Sequence, residues 1–488
     1  MQGIKDYQEK LFLSFRLSER VPKENFYRRL KETLDLSYLR KMTAHYYGTE
    51  GQKSIDTEVF FKFMLIGYLE NINSDRKIIE NAQMRLDMLY FLGYDIDEPL
   101  PWHSTLSRTR QLFGEGIFLE LFRNILKMCI DKGMVNGTRQ AIDSAYIKSN
   151  ASMESLVEKD TSDYFNILTD NEEIKKELSN KSRKRNTKVS NADFVSTTDS
   201  DARISKKSNK APALNYSGQI SVDTASHVIC GAMADFADKK DSQSLSDIVE
   251  QTCENLKPAD IHLKEVLADT NYSSGEALRY LENKDIDGYI PNFGLYKHTH
   301  EGFTYCSEED YYLCHQGVKL PFKGIRKRSG CDKQVKQYRS LKKDCADCSF
   351  KAACADKNGI KKIEDTVDKP YYERMHKKVH SGKGRKMKKI RSATVEPVLG
   401  TLLEYQAMRK VYTKGIQLAN KHILLACTAY NLKKLMRFKN IKSAANAIKS
   451  IAADLKLTVS CKILLFYELM LFGLNDKKLK PNMIIVNQ

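Results

Sequence analysis

Apolar residues recur at helical spacing through the first 135 positions. Glu58–Leu69 (EVFFKFMLIGYL) and Ile117–Cys129 (IFLELFRNILKMC) are dense in large apolar side chains with polar interruptions, the pattern of helices packed on most of their surface. His103, Ser104 and Thr105 precede LSRTRQLFG, and a hydroxyl side chain before such a run predicts a helix N-cap. Two short helices meeting here would form a helix-turn-helix with Arg108 and Arg110 near its start; a plain helical bundle fits the pattern equally well.

The texture changes at Thr138. RQAIDSAYI alternates and carries branched and small apolar residues, as a strand does. A polar stretch from Ser149 to Lys210 follows and reads as an insertion or mobile arm. Leu214–Val222 and Val228–Met233 read as strands around the turn DTASH, Leu245–Leu256 as a helix, and Glu265–Ala268 as a short buried strand ending at Asp269. Ser274–Asn283 reads as a helix and Gly288–Pro291 as a last strand. This order predicts an α/β sheet with mixed strand directions, preceded by an all-α region. Residues 292–390 interrupt it with cysteines and basic runs, and helical spacing returns from Thr394 to Phe438. The predicted organisation is a helical region (1–135), an α/β region (136–291, with 149–210 inserted), a Cys-rich basic insertion (292–390), a final part of the α/β region (391–438) and a helical tail (439–488).

The chain has 488 residues, too many for one ordinary core. Its 80 Lys and Arg outnumber 62 Asp and Glu, for a net charge of +18, which favours a polyanionic partner, nucleic acid first. The first residues, MQGIKDYQEKLFLSFR, form no apolar leader. The most apolar stretch, Cys461–Phe472, contains Lys462 and Glu468 and is too short and charged to span a bilayer. The expectation is a cytoplasmic protein without membrane contact. In a reducing compartment its eleven cysteines form no structural disulfides, and Cys129, Cys230, Cys253, Cys427 and Cys461 read as core thiols.

Three acids stand at positions where acids are costly. Asp143 lies within an apolar strand, Asp269 ends a buried one, and Glu396 is expected to open a helix with Ser392 or Thr394 as cap. A divalent cation is a natural partner for such groups, and hard oxygen ligands suit Mg²⁺. Asp223, Asp235, Asp199 and Asp201 compete for the same role, and composition does not choose among them.

The surrounding strings do choose. AIDSAYIKSNAS around Asp143 resembles the first-aspartate motif of bacterial insertion-sequence DDE transposases. VLADTNYSSGEAL resembles their second-aspartate motif, and RSATVEPVLGTL the segment with the final glutamate. TKGIQLANKHILLACTAYNLKKLM resembles the helix that follows, and PWHSTLSRTR a segment of the helical N-terminal domain. The resemblance implies a ribonuclease-H-like fold and a site of Asp143, Asp269 and Glu396 holding two Mg²⁺ (or Mn²⁺) ions. It also implies cleavage and strand transfer on double-stranded transposon ends and target, and a homodimer associated with the bacterial nucleoid. The chain departs from the pattern at Leu399 and Leu403, where Phe and Lys are common. Where some relatives carry Arg four residues before the glutamate, Ser392 stands here, with Arg391 one step further away.

Six cysteines fall between Cys306 and Cys354. Cys345, Cys348 and Cys354 offer three thiolates, and a fourth ligand would complete a structural Zn²⁺ site. Cys314 is the preferred fourth, because DYYLCHQG resembles a tyrosine-cysteine-glycine segment of related transposases; Cys331, Cys306 and His315 remain alternatives. Basic runs occupy Lys181–Lys210, Lys319–Lys343 and Arg374–Arg391. The last leads into Glu396, so Lys383, Arg385, Lys386, Lys388, Lys389 and Arg391 are expected to meet DNA phosphates, with Gly382 and Gly384 in a flexible loop. Tyr371 and Tyr372 are candidates for base stacking. Two other functions fit the same residues: a metal-dependent nuclease of this fold without strand transfer, and a non-enzymatic zinc-containing DNA-binding protein.

Overall fold

The computed structural model describes residues 14–159 apart from 15, 49 and 52, then 189–206, 211–292, 296, 300–328 and 334–438. Contacts divide the chain into Met1–Arg437 and Phe438–Gln488; beyond Phe438 the second unit, with Cys461, lies outside the described residues.

The N-terminal third is helical: α1 (Leu17–Arg20), α2 (Phe26–Thr33), α3 (Tyr38–Thr43), α4 (Thr57–Leu69), α5 (Asp75–Met84), α6 (Leu86–Leu92), α7 (His103–Leu112) and α8 (Glu115–Asp131). Asp56 caps α4 by accepting from the Glu58 N–H at 2.7 Å. Phe60, Phe61, Phe63, Met64, Leu65 and Ile66 are all buried, so this helix is packed on most of its circumference, as its apolar density predicts. The cap expected at Ser104 or Thr105 is not one. Helix α7 already begins at His103, and Trp102 stands at the cap position without a side-chain bond.

The central sheet contains β1 (Arg139–Lys148), β4 (Arg203–Ser205), β5 (Ala213–Asp223), β6 (Ile229–Phe236), β7 (Glu265–Leu267) and β8 (Asp287–Tyr289), with β2 (Leu156–Glu158) and β3 (Phe194–Ser196) paired separately. Its order is β4-β5-β1-β7-β8, with β6 on β5; β1, β7 and β8 run parallel, and β5 is antiparallel to β1 and β6. The mixed directions are those the strand order predicts. Helix α9 (Asp241–Leu256) follows β6, and α10 (Gly275–Asn283) joins β7 to β8.

Strand β6 has a free edge, and polar side chains cover it. Asn420 accepts from Ala234 N–H at 2.9 Å, Asn431 brackets Ile229, Gln251 accepts from Ala232 N–H at 2.8 Å, and Asn255 donates to the Cys230 carbonyl. Buried edge groups must be satisfied, and these four amides do so.

After β8 comes a second, antiparallel sheet of β9 (Phe303–Cys306), β10 (Tyr311–Cys314), β11 (Lys319–Lys327), β12 (Gln334–Arg339) and β13 (Lys362–Thr366), with α11 (Lys351–Cys354) between the last two strands. Its small core is Tyr312, Leu320, Tyr338 and Ile363. Three helices finish the described chain: α12 (Lys369–His380), α13 (Gly382–Tyr405) and α14 (Ile416–Arg437). Helix α14 is buried along most of its length and ties the first third to the sheet. Lys421 donates to the Phe113 carbonyl at 2.6 Å, and Tyr68 bonds to His422 at 2.7 Å. Among the described residues, no helix is long and apolar enough to cross a membrane.

Candidate active site

Parallel pairing places two carboxylates together. Strands β1 and β7 match Arg139 with Glu265 and Ala141 with Leu267. Asp143 lies two residues further along β1 and Asp269 two residues past the end of β7, close enough that the Asp269 charge bears on Asp143. Asp143 accepts from the Ser144 N–H at 2.8 Å, and Asp269 from the Asn271 N–H at 2.9 Å. Burial pushes the Asp143 carboxyl up to about 6; the Arg391 charge pulls against this, while the Asp269 and Asp241 charges add to it. Burial and the Asp241 charge likewise raise Asp269, against the pull of Asn271 and Arg391. Two acids whose charges oppose each other in a half-buried place make a site that favours a cation.

The third acid arrives on α13. Glu396 lies deep inside this 24-residue helix and does not open it, a correction to the expectation from Ser392 and Thr394. The cap is Ser381, whose Oγ accepts from Gly384 N–H at 3.0 Å. Gly382 and Gly384 form the first turn, not a loop. A Cβ on Gly384 would come within 2.2 Å of the Lys378 carbonyl oxygen, so a close approach of backbone requires this glycine. Glu396 is 63% exposed at its side chain, and Pro397 follows it inside the helix, leaving the Ala393 carbonyl without its helical donor.

Arg391 links the acids. Its guanidinium donates to Asp143 Oδ2 at 2.7 Å and stands 3.8 Å from Glu396 Oε1. Among the described residues, no three His, Cys, Asp or Glu side chains converge closely enough to hold an ion between them. In the carboxylate site the arginine stands between two of the three. The donor set nevertheless fits a hard divalent cation: oxygen ligands only, on a strand, a strand end and a helix, facing an exposed side.

The competing acids have internal partners. Asp223 accepts from Gly137 N–H and Ser226, Asp235 from Ser244, Asp199 from Tyr216 and Gly415 N–H, and Asp201 from Ile416 N–H. These acids anchor turns and helix starts. Asp241, the first residue of α9, escaped the sequence reading. It accepts from Gln219 at 3.0 Å, and its charge bears on both site aspartates. Only the register between β1 and β5, which sets Ser144 beside Gln219, brings it close.

The expected DNA contacts divide. On α13, Arg385 and Lys389 share a stripe with Glu396, and Lys386 and Lys388 flank it; all four basic residues are exposed. Eleven residues of helix span about 16 Å, so a row of cations leads up to the glutamate. Basic residues near a helix N-terminus oppose its dipole, which an anion would relieve. Lys383 instead pairs with Glu265 at 2.6 Å. Arg108 is exposed, whereas Arg110 is turned inward and grips Asp75 with both Nη atoms. Tyr372 is buried and stacked on Tyr296 at 5.2 Å, and Tyr371 is half-buried beside Arg374, so neither offers an open face for a base.

The four preferred cysteines share one place. Cys314, Cys345, Cys348 and Cys354 line a single cavity of about 30 Å³ with His315 and Phe350; Cys306 is not among its walls, and Cys331 lies outside the described residues. Gln316 N–H donates to Cys314 Sγ at 3.3 Å, and Cys345 donates to Ser340 Oγ at 3.2 Å. All the described cysteines are free thiols.

Compared with known families, residues 15–112 match the family described as Transposase domain (DUF772), and residues 313–436 match Transposase DDE domain. The first match covers most of the N-terminal helices. The second runs from the cysteine cavity through Glu396 into α14; Asp143 and Asp269 lie between the two. No curated protein matches the chain.

Proposed function

We propose, from the premise that this chain is an insertion-sequence DDE transposase, that Asp143, Asp269 and Glu396 form its catalytic centre for cutting and joining DNA. The observation that supports this most is Asp143 on β1 under the charge of Asp269, just past the neighbouring parallel strand β7, with Glu396 reached through Arg391. The strand order of the central sheet supports a ribonuclease-H-like fold for that centre.

In this reading the three carboxylates hold two Mg²⁺ or Mn²⁺ ions. When bound, such ions activate a water or 3′-hydroxyl and stabilise the departing oxygen. The chain's own residues do the rest. Asp143 and Asp269, fixed by the sheet, set the position of the scissile phosphate. Glu396 closes the site from the helix, and Arg391 is released from Asp143 to face a phosphate oxygen. The cationic row on α13 guides the DNA backbone toward Glu396. Joining an excised end to a target brings two ends together, which a homodimer would provide.

The test is incubation of the purified protein with labelled DNA carrying its element's ends and a target plasmid, with Mg²⁺ or with EDTA. Metal-dependent cleavage followed by joined product is expected. Cleavage without joining would leave a nuclease of the same fold, and binding with no metal-dependent product would sink the catalytic reading.

The cysteine cavity belongs to this reading as a structural Zn²⁺ site of Cys314, Cys345, Cys348 and Cys354. The four thiols line one cavity but do not converge closely enough to hold an ion as they stand, so a bound zinc would draw them together. Metal analysis of protein purified without chelator is expected to return about one zinc per chain, falling sharply in a Cys345→Ser/Cys348→Ser variant. A metal-free wild type with an intact fold would remove zinc from the account.

A further inference from the structure

Strand β1 gains a second neighbour at its far end. Lys148 forms a parallel bridge with Lys410: its N–H donates to the Arg409 carbonyl at 3.1 Å, and its carbonyl accepts from Val411 N–H at 2.9 Å. The segment that makes this bridge is the return from α13, just past the catalytic glutamate's helix.

The bridge sets two lysines side by side. Adjacent strands lie about 4.8 Å apart, and like charges at paired positions repel. Among the described residues neither lysine makes an ion pair with an acid. The nearby Glu404 is taken by Arg409, and the Lys410 amine lies 4.8 Å from the centre of the Tyr412 ring. Both line an open cavity of about 380 Å³ with Ser149, Asn150, Ser152, Met153 and Leu214. Its walls are fixed: Ser149 donates to the Leu214 carbonyl at 3.0 Å, and Asn150 to the Tyr412 carbonyl at 3.1 Å. The sheet thus holds two cations, unpaired with any acid among the described residues, at the rim of a hollow of mixed polar and apolar lining, an arrangement an anion would stabilise.

We propose that Lys148 and Lys410 form a phosphate-binding subsite for the DNA backbone, on the same strand as Asp143. The proposal rests on the DNA-cutting reading above. Lys148 lies five residues beyond Asp143, about 17 Å along an extended strand, and the odd spacing puts the two side chains on opposite faces of the sheet. A duplex strand advances about 3.4 Å per nucleotide, so a backbone that rounds the end of β1 from one face to the other meets the lysines at least about five nucleotides from the cut. The subsite grips the flank of the substrate while the carboxylates act on the scissile phosphate. It also supplies cations the glutamate helix lacks on its far side, where Leu403 stands and Arg409 is tied to Glu404.

The test is the salt dependence of binding to end DNA, in EDTA, for wild type, Lys148→Gln, Lys410→Gln and the double variant. Each lysine that meets a phosphate adds about 0.9 to the slope of log affinity against log salt. The double variant is therefore expected to lose close to two from that slope and to bind on the order of tenfold more weakly at moderate salt. Lys148→Arg/Lys410→Arg is expected to restore the slope. As a second measurement on unaltered protein, neutral methylphosphonates stepped along the DNA should weaken binding at a phosphate about five or more nucleotides from the cut. A slope unchanged in the double variant, or methylphosphonates without effect there, overturns the subsite while leaving the catalytic centre standing. Wild type that binds no end DNA overturns both.

Discussion

Glu396→Gln is expected to abolish metal-dependent cleavage while leaving the melting temperature of the protein almost unchanged. The glutamate side chain is 63% exposed, and Arg391 stands 3.8 Å from it. A surface change of this kind shifts stability by about 0.5 kcal/mol or less. Its effect on rate should be far larger, because a hard-metal ligand positions charge that appears in the transition state. A loss of several kcal/mol there corresponds to about 10³-fold or more in rate. Asp143→Asn and Asp269→Asn should be as inactive. They should also be slightly perturbed in fold, since Asp143 holds Arg391 and Asp269 caps the turn at Asn271. All three variants should still bind end DNA, because the exposed cations of α13 are untouched. Single-turnover cleavage, scored beside thermal melting, makes the separation. A Glu396→Gln protein that cuts at the wild-type rate would remove this residue from the centre.

The second large effect concerns stability. Asp365 and Lys369 face each other almost wholly out of solvent, at 1% and 3% side-chain exposure, and the lysine also donates to the Tyr312 hydroxyl. The cluster joins β13, β10 and the start of α12, so it fastens the second sheet to the helix leading toward Glu396. Lys369→Ala removes the ammonium nearest the buried carboxylate, which keeps the Tyr312 hydroxyl and the neighbouring His300; breaking a buried pair typically costs about 3–5 kcal/mol, and these partners hold the loss toward the lower end. Lys369→Met/Asp365→Asn should recover much of that loss, because no uncompensated charge remains. Urea unfolding of the single and double variants reads both quantities. A double variant no more stable than Lys369→Ala would mean that the packing of the lysine stem, not its charge, matters here.

Much of this arrangement was legible in the residues themselves. The alternation of RQAIDSAYI marks β1, the run EVLA followed by Asp marks β7, and both fall where the pattern puts them. The helix carrying Glu396 was misjudged at its start. Gly382 and Gly384 look like breakers, and Ser392 and Thr394 look like caps. Yet Met387, Thr394, Val395, Val398 and Leu402 recur at helical spacing and are all buried, so one apolar stripe carries the helix from Ser381 onward. Local propensity lost to tertiary packing there.

What the residues did not reveal are pairings between distant segments. Arg391 meets Asp143 because α13 crosses β1, and Lys410 meets Lys148 because the chain turns back onto the same strand. Neither pairing leaves a local period. The inward turn of Arg110 toward Asp75 is hidden for the same reason: a surface arginine and a structural one have the same sequence neighbourhood until the fold supplies the acid.

The order of the chain also sets a timetable. Asp143 and Asp269 are synthesised early, the second sheet is built next, and Glu396 follows Asp269 by about 127 residues. At about 5–20 residues per second, translation leaves on the order of ten seconds in which the two aspartates exist without the glutamate. Helix α14, which closes the core of the first third, comes later still. A growing chain therefore holds the two aspartates well before the third acid and the helix that closes the core of the first third.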